Sequence, residues 1–353
     1  MFGLFKSSKP KLVHIEGLPS PITVNGKQTI LTAALAQGVR FPHSCRVGGC
    51  ASCKCQLTSG RVKELTESAY ILEQKDLENG YILACQSVPK TDVSIRVDTL
   101  SSTTQAIKTL SGQVVGQKRL THDIVALDIL MDEAMHYTAG QYAQISVPNE
   151  IESPRSYSFA FAPSTTGDAM VQFYVRAVPG GKMSNWAQGD ILGREVSVEG
   201  PFGDFYLRES ERPILCIAGG SGLAPIKALL EDALAYKCTR PVVFLFGART
   251  QQDLYCLDQI NRIANQWAGD FTFVPVLSEE PKLSEEPKES DWEGARGLVT
   301  DLLDQYALSD TEAYLCGPPP MLDAAEEKLD CIGIPSERIF SDKFFDQSNT
   351  NRQ

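Results

Sequence analysis

Four cysteines in the first quarter of the chain carry the most specific chemical signal. Cys45, Cys50 and Cys53 follow the spacing C-x4-C-x2-C, and Cys85 comes after 31 intervening residues. That is the plant-type ligand pattern of a [2Fe–2S] cluster. Three thiolates in one loop can surround a cluster only if the backbone curls with its N–H groups turned inward, and Gly48-Gly49 make such conformations accessible. Structural zinc usually draws paired C-x2-C knuckles from two places, whereas this segment holds one such pair and a lone fourth thiol. Cys55, Cys216, Cys238, Cys256 and Cys331 read as packed thiols, because free cysteine behaves as a small hydrophobe. His14, His43, His122 and His136 show no ligand spacing.

A second set of residues suits a flavin nucleotide. Arg155-Ser156-Tyr157-Ser158 supplies a guanidinium for a phosphate, an aromatic face for a ring and hydroxyls for a ring nitrogen. Downstream, Gly180-Gly181-Lys182-Met183-Ser184 opens a short helix at a glycine pair, where free N–H groups can receive a pyrophosphate. Gly200-Pro201-Phe202-Gly203 adds a tight turn. Each piece alone reads equally well as ordinary strand surface or turn, but their order within about 50 residues favours a common site.

The third set suits a nicotinamide dinucleotide. Gly219-Gly220-Ser221-Gly222-Leu223-Ala224-Pro225 lies between an apolar strand and a helix, where a glycine-rich turn lets a phosphate reach helix N–H groups. A serine-hydrolase elbow needs glycine where Leu223 stands. Cys316-Gly317-Pro318 follows the apolar run Ala313-Tyr314-Leu315, which puts the thiol at a strand's C-terminal end, where ligands of open α/β sheets bind. A packed thiol before a proline turn is the equal alternative.

These sites require three kinds of scaffold. Alternation in Lys11–Ile15 and Ile22–Val24 predicts a hairpin, followed by a helix near Ile30–Gln37 that Gly38 ends. The small, polar stretch 99–105 predicts an interdomain linker. Short alternating runs between glycine and proline turns, such as Val125–Ile129, Tyr142–Val147 and Val171–Val175, predict a small antiparallel barrel. After Pro213 the strands become continuously apolar (Ile214–Ala218, Val242–Phe246) and alternate with helical stretches such as Pro225–Tyr236, which predicts a parallel α/β sheet. Leu277–Lys282 recurs as Leu283–Lys288, an acidic, proline-bearing repeat that reads as an enlarged surface loop.

The chain has 353 residues, too many for one ordinary core, and 42% hydrophobic with 22% charged residues place it among globular proteins. No apolar run is long enough for a membrane span, and Met1–Lys6 lacks the features of a signal peptide, so the cytoplasm is the expected address. The net charge of −11 argues against nucleic acid as a partner. Charge is unevenly divided: residues 1–100 carry 12 Lys+Arg against 8 Asp+Glu, the remainder 21 against 36. Arg46 and Lys54, beside the cysteine loop, are the expected docking charges.

Phe41–Cys45, Gly60–Leu65, Lys118–Val125, Gly222–Lys227 and Gly247–Asp258, together with the motifs above, resemble the ferredoxin-type oxygenase reductases, most of all the branch that serves xylene-oxidising monooxygenases. The resemblance covers nearly the whole chain. It implies a β-grasp [2Fe–2S] ferredoxin domain over 1–100, an antiparallel β-barrel FAD-binding domain over 107–207 and a parallel α/β NAD-binding domain over 211–353. It puts Arg155 on the FAD phosphate, Tyr157 against the flavin, Ser158 near the flavin N5, Cys316 near the nicotinamide and Phe344 or Phe345 beside the flavin ring. NADH is the usual donor in similar proteins. Asp253 could accept from an adenosine ribose hydroxyl, while Arg249 could instead tolerate a 2′-phosphate. Cys55 and the 277–288 duplication depart from the pattern.

The activity implied is a reductase of aromatic hydrocarbon catabolism. It would pass electrons from NADH through FAD and the cluster to a non-haem iron hydrocarbon monooxygenase, membrane-bound diiron enzymes included. The expected form is a monomer, peripheral to the inner membrane through that partner. A reductase for a soluble ring-hydroxylating dioxygenase or a deoxysugar-forming enzyme shares every motif, and a non-catalytic redox carrier or sensor is the rival from another class.

Overall fold

In the N-terminal segment, inward-facing Val13 and Ile15 alternate with exposed Leu12 and His14 in β1 (Lys11–Ile15), which pairs antiparallel with β2 (Ile22–Val24). The computed structural model describes residues 9–39, 41–43, 46–49, 51–97, 107–280 and 292–344, apart from the side chain of Glu152. Cys45, Cys50, Phe345, the 99–105 linker and the duplication from residue 281 on, its whole second copy included, lie outside the described residues.

Helix α1 (Ile30–Ala36) starts where Thr29 Oγ1 accepts from the Thr32 N–H, buries Ile30, Leu31, Ala33, Ala34 and Leu35, and ends at Gln37 before Gly38 turns left-handed at φ +77°. This is the helix and the terminator that the sequence predicts. The remaining elements of this unit are β3 (Lys54–Ser59), β4 (Val62–Glu64), α2 (Gln74–Glu78), β5 (Tyr81–Leu83), β6 (Ser87–Pro89) and β7 (Val93–Arg96). Five strands form one sheet in the order β2-β1-β7-β3-β5, with β1 and β7 parallel and the other pairs antiparallel, and β4 pairs with β6. This mixed sheet with one covering helix is the expected β-grasp arrangement. The chain separates into two compact units, residues 1–107 with Phe202–Asp204, and residues 108–201 with 205–353.

The second unit begins with β8 (Lys108–Arg119), β9 (Ile124–Met135), β10 (Tyr142–Val147), β11 (Ile151–Ser158), β12 (Asp168–Arg176), α3 (Lys182–Trp186) and β13 (Glu195–Phe202). The antiparallel order is β11-β10-β13-β8-β9-β12, and a bridge between Phe159 and Phe173 draws the two edges together, so the sheet curls on itself. Val114, Leu127, Ile129, Ile145, Phe173 and Val198 fill its interior.

The same unit continues with β14 (Ile214–Gly219), α4 (Leu223–Ala235), β15 (Val242–Ala248), α5 (Leu257–Gln266), β16 (Phe271–Leu277), β17 (Ala295–Arg296), α6 (Leu303–Tyr306), β18 (Glu312–Gly317), α7 (Pro319–Ile332) and β19 (Ile339–Lys343). All neighbours are parallel in the order β17-β16-β15-β14-β18-β19. β14 lies inside the sheet and every one of its residues is buried, which is why its sequence is continuously apolar. Ile226 and Leu230 of α4 and Ile260 and Ile263 of α5 cover one face; Leu303 of α6 and Leu322 and Leu329 of α7 cover the other. The first of these layers also takes in Ile124, Ala126, Ala160 and Tyr174 of the curled sheet, so the two halves of this unit share a core.

Candidate functional site

The cysteine site is built where two strands end together. Lys54 opposes Leu83 in the β3–β5 ladder, so Cys53 and Cys85 flank one end of it. The Ala84 N–H donates to the Cys53 carbonyl at 3.1 Å, and the Cys85 N–H donates to Cys53 Sγ at 3.4 Å. Gln86 Nε2 donates to Cys85 Sγ at 3.6 Å. Both thiols are buried. Among the described residues of the loop before them, Arg46, Gly48 and Ala51 are left-handed, the curl that inward-facing amides demand. Gly48 also packs closely: a Cβ there would lie 2.8 Å from Gln86 Cγ. Buried sulfurs receiving N–H bonds fit a cluster, because such bonds stabilise thiolate ligands. Gln86 is a contributor that the cysteine spacing alone does not reveal. Cys55 is fully buried on β3.

The flavin motif falls on β11, an edge strand of the curled sheet. Strand alternation puts Arg155 and Tyr157 on one face and Ser156 and Ser158 on the other. Ser158 is buried opposite Tyr142, whereas Ser156 is exposed. The Arg155 guanidinium folds along its own strand to Ser153 Oγ (2.9 Å) and the Pro154 carbonyl (3.0 Å). Burial pushes the Tyr157 phenol up, and it stays neutral. Gly180 is left-handed at φ +73°, and Gly181 caps α3, where a Cβ would stand 3.1 Å from the Val178 carbonyl oxygen. Lys182 is exposed and Met183 buried. Ser184 turns inward, its Oγ accepting from the Val178 N–H at 3.0 Å. Its hydroxyl shapes the turn. Trp186 Nε1 is buried without a hydrogen-bond partner among the described residues, so an acceptor from a bound molecule would relieve a cost of about 1–3 kcal/mol.

The two nucleotide motifs, nearly a hundred residues apart in sequence, interlock. A Cβ on Gly222 would collide with the Cys316 carbonyl oxygen and stand 2.9 Å from the Gly317 nitrogen. One on Gly219 would stand 2.8 Å from Met321 Sδ and 3.2 Å from Pro318 Cδ. Gly220 is left-handed at φ +55°, its carbonyl accepting from Tyr255 OH at 2.8 Å. Pro225 is buried in the first turn of α4. These contacts leave the backbone bare at the C-terminal end of β14, the cradle a diphosphate needs. Cys316 is completely buried, and burial and the nearby Asp342 push its thiol well up. The Phe344 N–H donates to the Gly317 carbonyl at 2.9 Å, which sets the residue after β19 over this turn. Asp253 is engaged in holding its own loop. Its Oδ1 accepts from Arg249 at 2.7 Å, and its Oδ2 accepts from the Thr250 N–H at 3.1 Å and Oγ1 at 3.2 Å.

A curled antiparallel sheet with a flavin motif, a parallel sheet with a dinucleotide turn and a β-grasp unit with paired buried thiols together define an iron–sulfur flavoprotein reductase. Comparison with known proteins agrees. The 2Fe-2S iron-sulfur cluster binding domain family matches residues 13–90, the oxidoreductase FAD-binding domain family 111–206 and the oxidoreductase NAD-binding domain family 216–327. The xylene/toluene monooxygenase electron transfer component XylA of Pseudomonas putida is 42% identical over 98% of this chain and 97% of its own. The anthranilate 1,2-dioxygenase electron transfer component of Acinetobacter baylyi is 34% identical over 93% and 94%. Among solved structures, the Amycolatopsis cytochrome P450 reductase GcoB superposes with a TM-score of 0.80 at 31% identity, covering 95% of this chain and 98% of that one. The chain belongs to the ferredoxin-type reductase components of multicomponent oxygenases, with [2Fe–2S], FAD and NAD domains.

Proposed function

We propose that this reductase uses NADH and serves a non-haem iron hydrocarbon monooxygenase of the xylene-oxidising type. The observation that carries the reading is 42% identity extending across all three domains to the XylA component, above the 34% to the anthranilate dioxygenase component. Bound FAD would supply the exchange of an electron pair for single electrons, which suits a one-electron cluster in the same chain. In this reading Cys45, Cys50, Cys53 and Cys85 ligate the cluster. Arg155, Ser156, Tyr157 and Ser158 with Gly180–Ser184 bind FAD. Gly219, Gly220, Gly222, Pro225, Cys316, Gly317 and Pro318 receive the nucleotide, and Phe344 or Phe345 covers the flavin.

NADH over NADPH is supported by the charge around Arg249. Its guanidinium is shared between Asp253 and Asp123, so a 2′-phosphate arriving there would meet two carboxylates. Among the described residues no helix is long and apolar enough to cross a membrane. The reading makes the protein a monomer that reaches any membrane-bound diiron partner from outside the bilayer.

A second reading, service to a soluble ring-hydroxylating dioxygenase, is favoured by the 34% identity to the anthranilate dioxygenase component. Reconstitution separates the two. The purified chain with NADH should support hydroxylation by a xylene-type monooxygenase at least about tenfold faster than by a ring-hydroxylating dioxygenase. Faster product with the dioxygenase would overturn the proposal. No reduction of ferricyanide by NADH would overturn the choice of donor.

A further inference from the structure

A group of charged side chains stands where the curled sheet meets the nucleotide sheet. Asp123 lies in the turn between β8 and β9; its Oδ1 accepts from Thr121 Oγ1 at 2.9 Å, and its backbone carbonyl accepts from the Ala177 N–H at 2.7 Å. Its Oδ2 accepts from Arg176 Nε of β12 and from Arg249 Nη2, one residue past β15, both at 3.0 Å. A single carboxylate oxygen therefore holds a guanidinium from each half of the unit. The Asp123 side chain is only 15% exposed, while Arg176 and Arg249 are each 38% exposed, so the carboxylate is the shielded member of the hub. His122, Asp123 and Asp253 bring ligand-type atoms within 4.8 Å of one another, but Arg249 Nη2 already bonds both carboxylates and supplies the positive charge there.

This hub lies next to the dinucleotide turn. Gly247 is in register with Gly219, so Arg249 follows two residues past the position opposite the turn. Arg176 Nη1 would stand 3.5 Å from a Cβ on Gly220. Weaker contacts cross the same boundary: His122 Nε2 with Arg249 Nη2 at 3.3 Å, His122 Nδ1 with Asp253 Oδ1 at 3.5 Å, Tyr174 OH with Cys256 Sγ at 3.4 Å and the Ala162 N–H with Glu231 Oε2 at 3.2 Å.

We propose that Asp123 is a positioning residue for hydride transfer: it clamps Arg176 and Arg249 together and so holds the Gly219–Gly222 turn, and any nucleotide on it, at a fixed distance from the curled sheet. The proposal rests on the reading of that turn as the nucleotide site. A displacement of about 1 Å between reacting groups can cost about 100-fold in rate, so a clamp remote from the reacting atoms can govern the step.

The test uses the holoprotein and two measurements. Amide hydrogen exchange of the peptide spanning 219–224, without nucleotide, should accelerate about fivefold or more in Asp123→Asn, while peptides from β10 and β13 stay unchanged. In stopped flow with NADH, the limiting rate of flavin reduction should fall about tenfold, with the half-saturating NADH concentration moving less than about threefold. Asp123→Glu should restore much of both. Arg249→Gln should reproduce the loss, and the double variant should be no worse than either single one, because all three break the same clamp. Unchanged exchange together with an unchanged limiting rate, or additive losses in the double variant, would overturn the proposal. The exchange measurement needs no nucleotide. A wild-type protein that NADH fails to reduce would thus count against the choice of donor, while the exchange result still decides the role of Asp123.

Discussion

Replacing Cys85 by alanine removes a thiol that is buried and joined by its own N–H to Cys53 Sγ. The expected outcome is loss of the low-temperature EPR signal of the reduced cluster, with NADH-to-ferricyanide turnover retained; an undiminished signal would remove Cys85 from the ligand set. Ser158 is buried at the end of β11, and Ser158→Ala should slow flavin reduction by about 10-fold, the value of one lost bond of about 1.4 kcal/mol, while FAD stays bound. Cys216 offers a test through pH. Burial pushes its thiol up to about 12, partly opposed by Arg240, whereas an unfolded thiol titrates near about 8.5. The folded state thus keeps a proton that the unfolded chain loses. Its contribution is fully present below about pH 8.5 and is lost as pH rises towards 12, so the melting temperature should fall across that window. Cys216→Ala should show a shallower fall; an identical slope would mean that other groups set it.

Gly222 makes the same kind of argument for a turn. An added methyl there meets the backbone of Cys316 and Gly317, so Gly222→Ala should cost about 1–3 kcal/mol and lower the melting temperature by several degrees. Gly333→Ala, left-handed but with no atom within 4 Å, should cost only about 1–2 kcal/mol of backbone strain. Much of this architecture was legible in the sequence. The alternation at Val13 and Ile15, the stop at Gly38 and the unbroken apolar runs of β14 and β15 mark their elements because one face, or both, must be buried. The twelve-residue lengths of β8 and β9 were not legible: Asp132, Glu133 and Lys118 carry no periodic signal where the strands leave the buried interior. The inward turn of Ser184 was hidden because a hydroxyl reads alike as ligand contact or turn stitch. Asp123 was invisible as a partner of Arg249, for 126 residues separate them and a lone Asp in a turn carries no pattern.

Across the chain, the basic first hundred residues and the acidic remainder still predict electrostatic encounter with an acceptor. Lys54, an expected docking charge, is committed elsewhere: Nζ binds both oxygens of Asp76, at 3.0 and 2.9 Å, and lies 5.2 Å from the Tyr81 ring centre. The remaining exposed cations must carry any steering. Raising salt from about 0.1 M to about 1 M should slow delivery to the oxygenase several-fold and flavin reduction by NADH much less; equal responses would make the asymmetry mere composition.

The interior place of β14 has a consequence for biosynthesis. Its neighbour β18 and the Cys316–Gly317 turn that closes on Gly222 arrive about 95 residues later, near residue 317 of 353. At about 5–20 residues per second, a ribosome takes roughly 5–20 s to supply them. Throughout that interval the nascent strand Ile214–Gly219 presents an apolar, unsatisfied edge, the template on which other chains pair. Chains stopped by premature termination before Glu312 would keep that edge permanently. They should collect in inclusion bodies, whereas nonsense mutations beyond Lys343 should leave the protein in the supernatant.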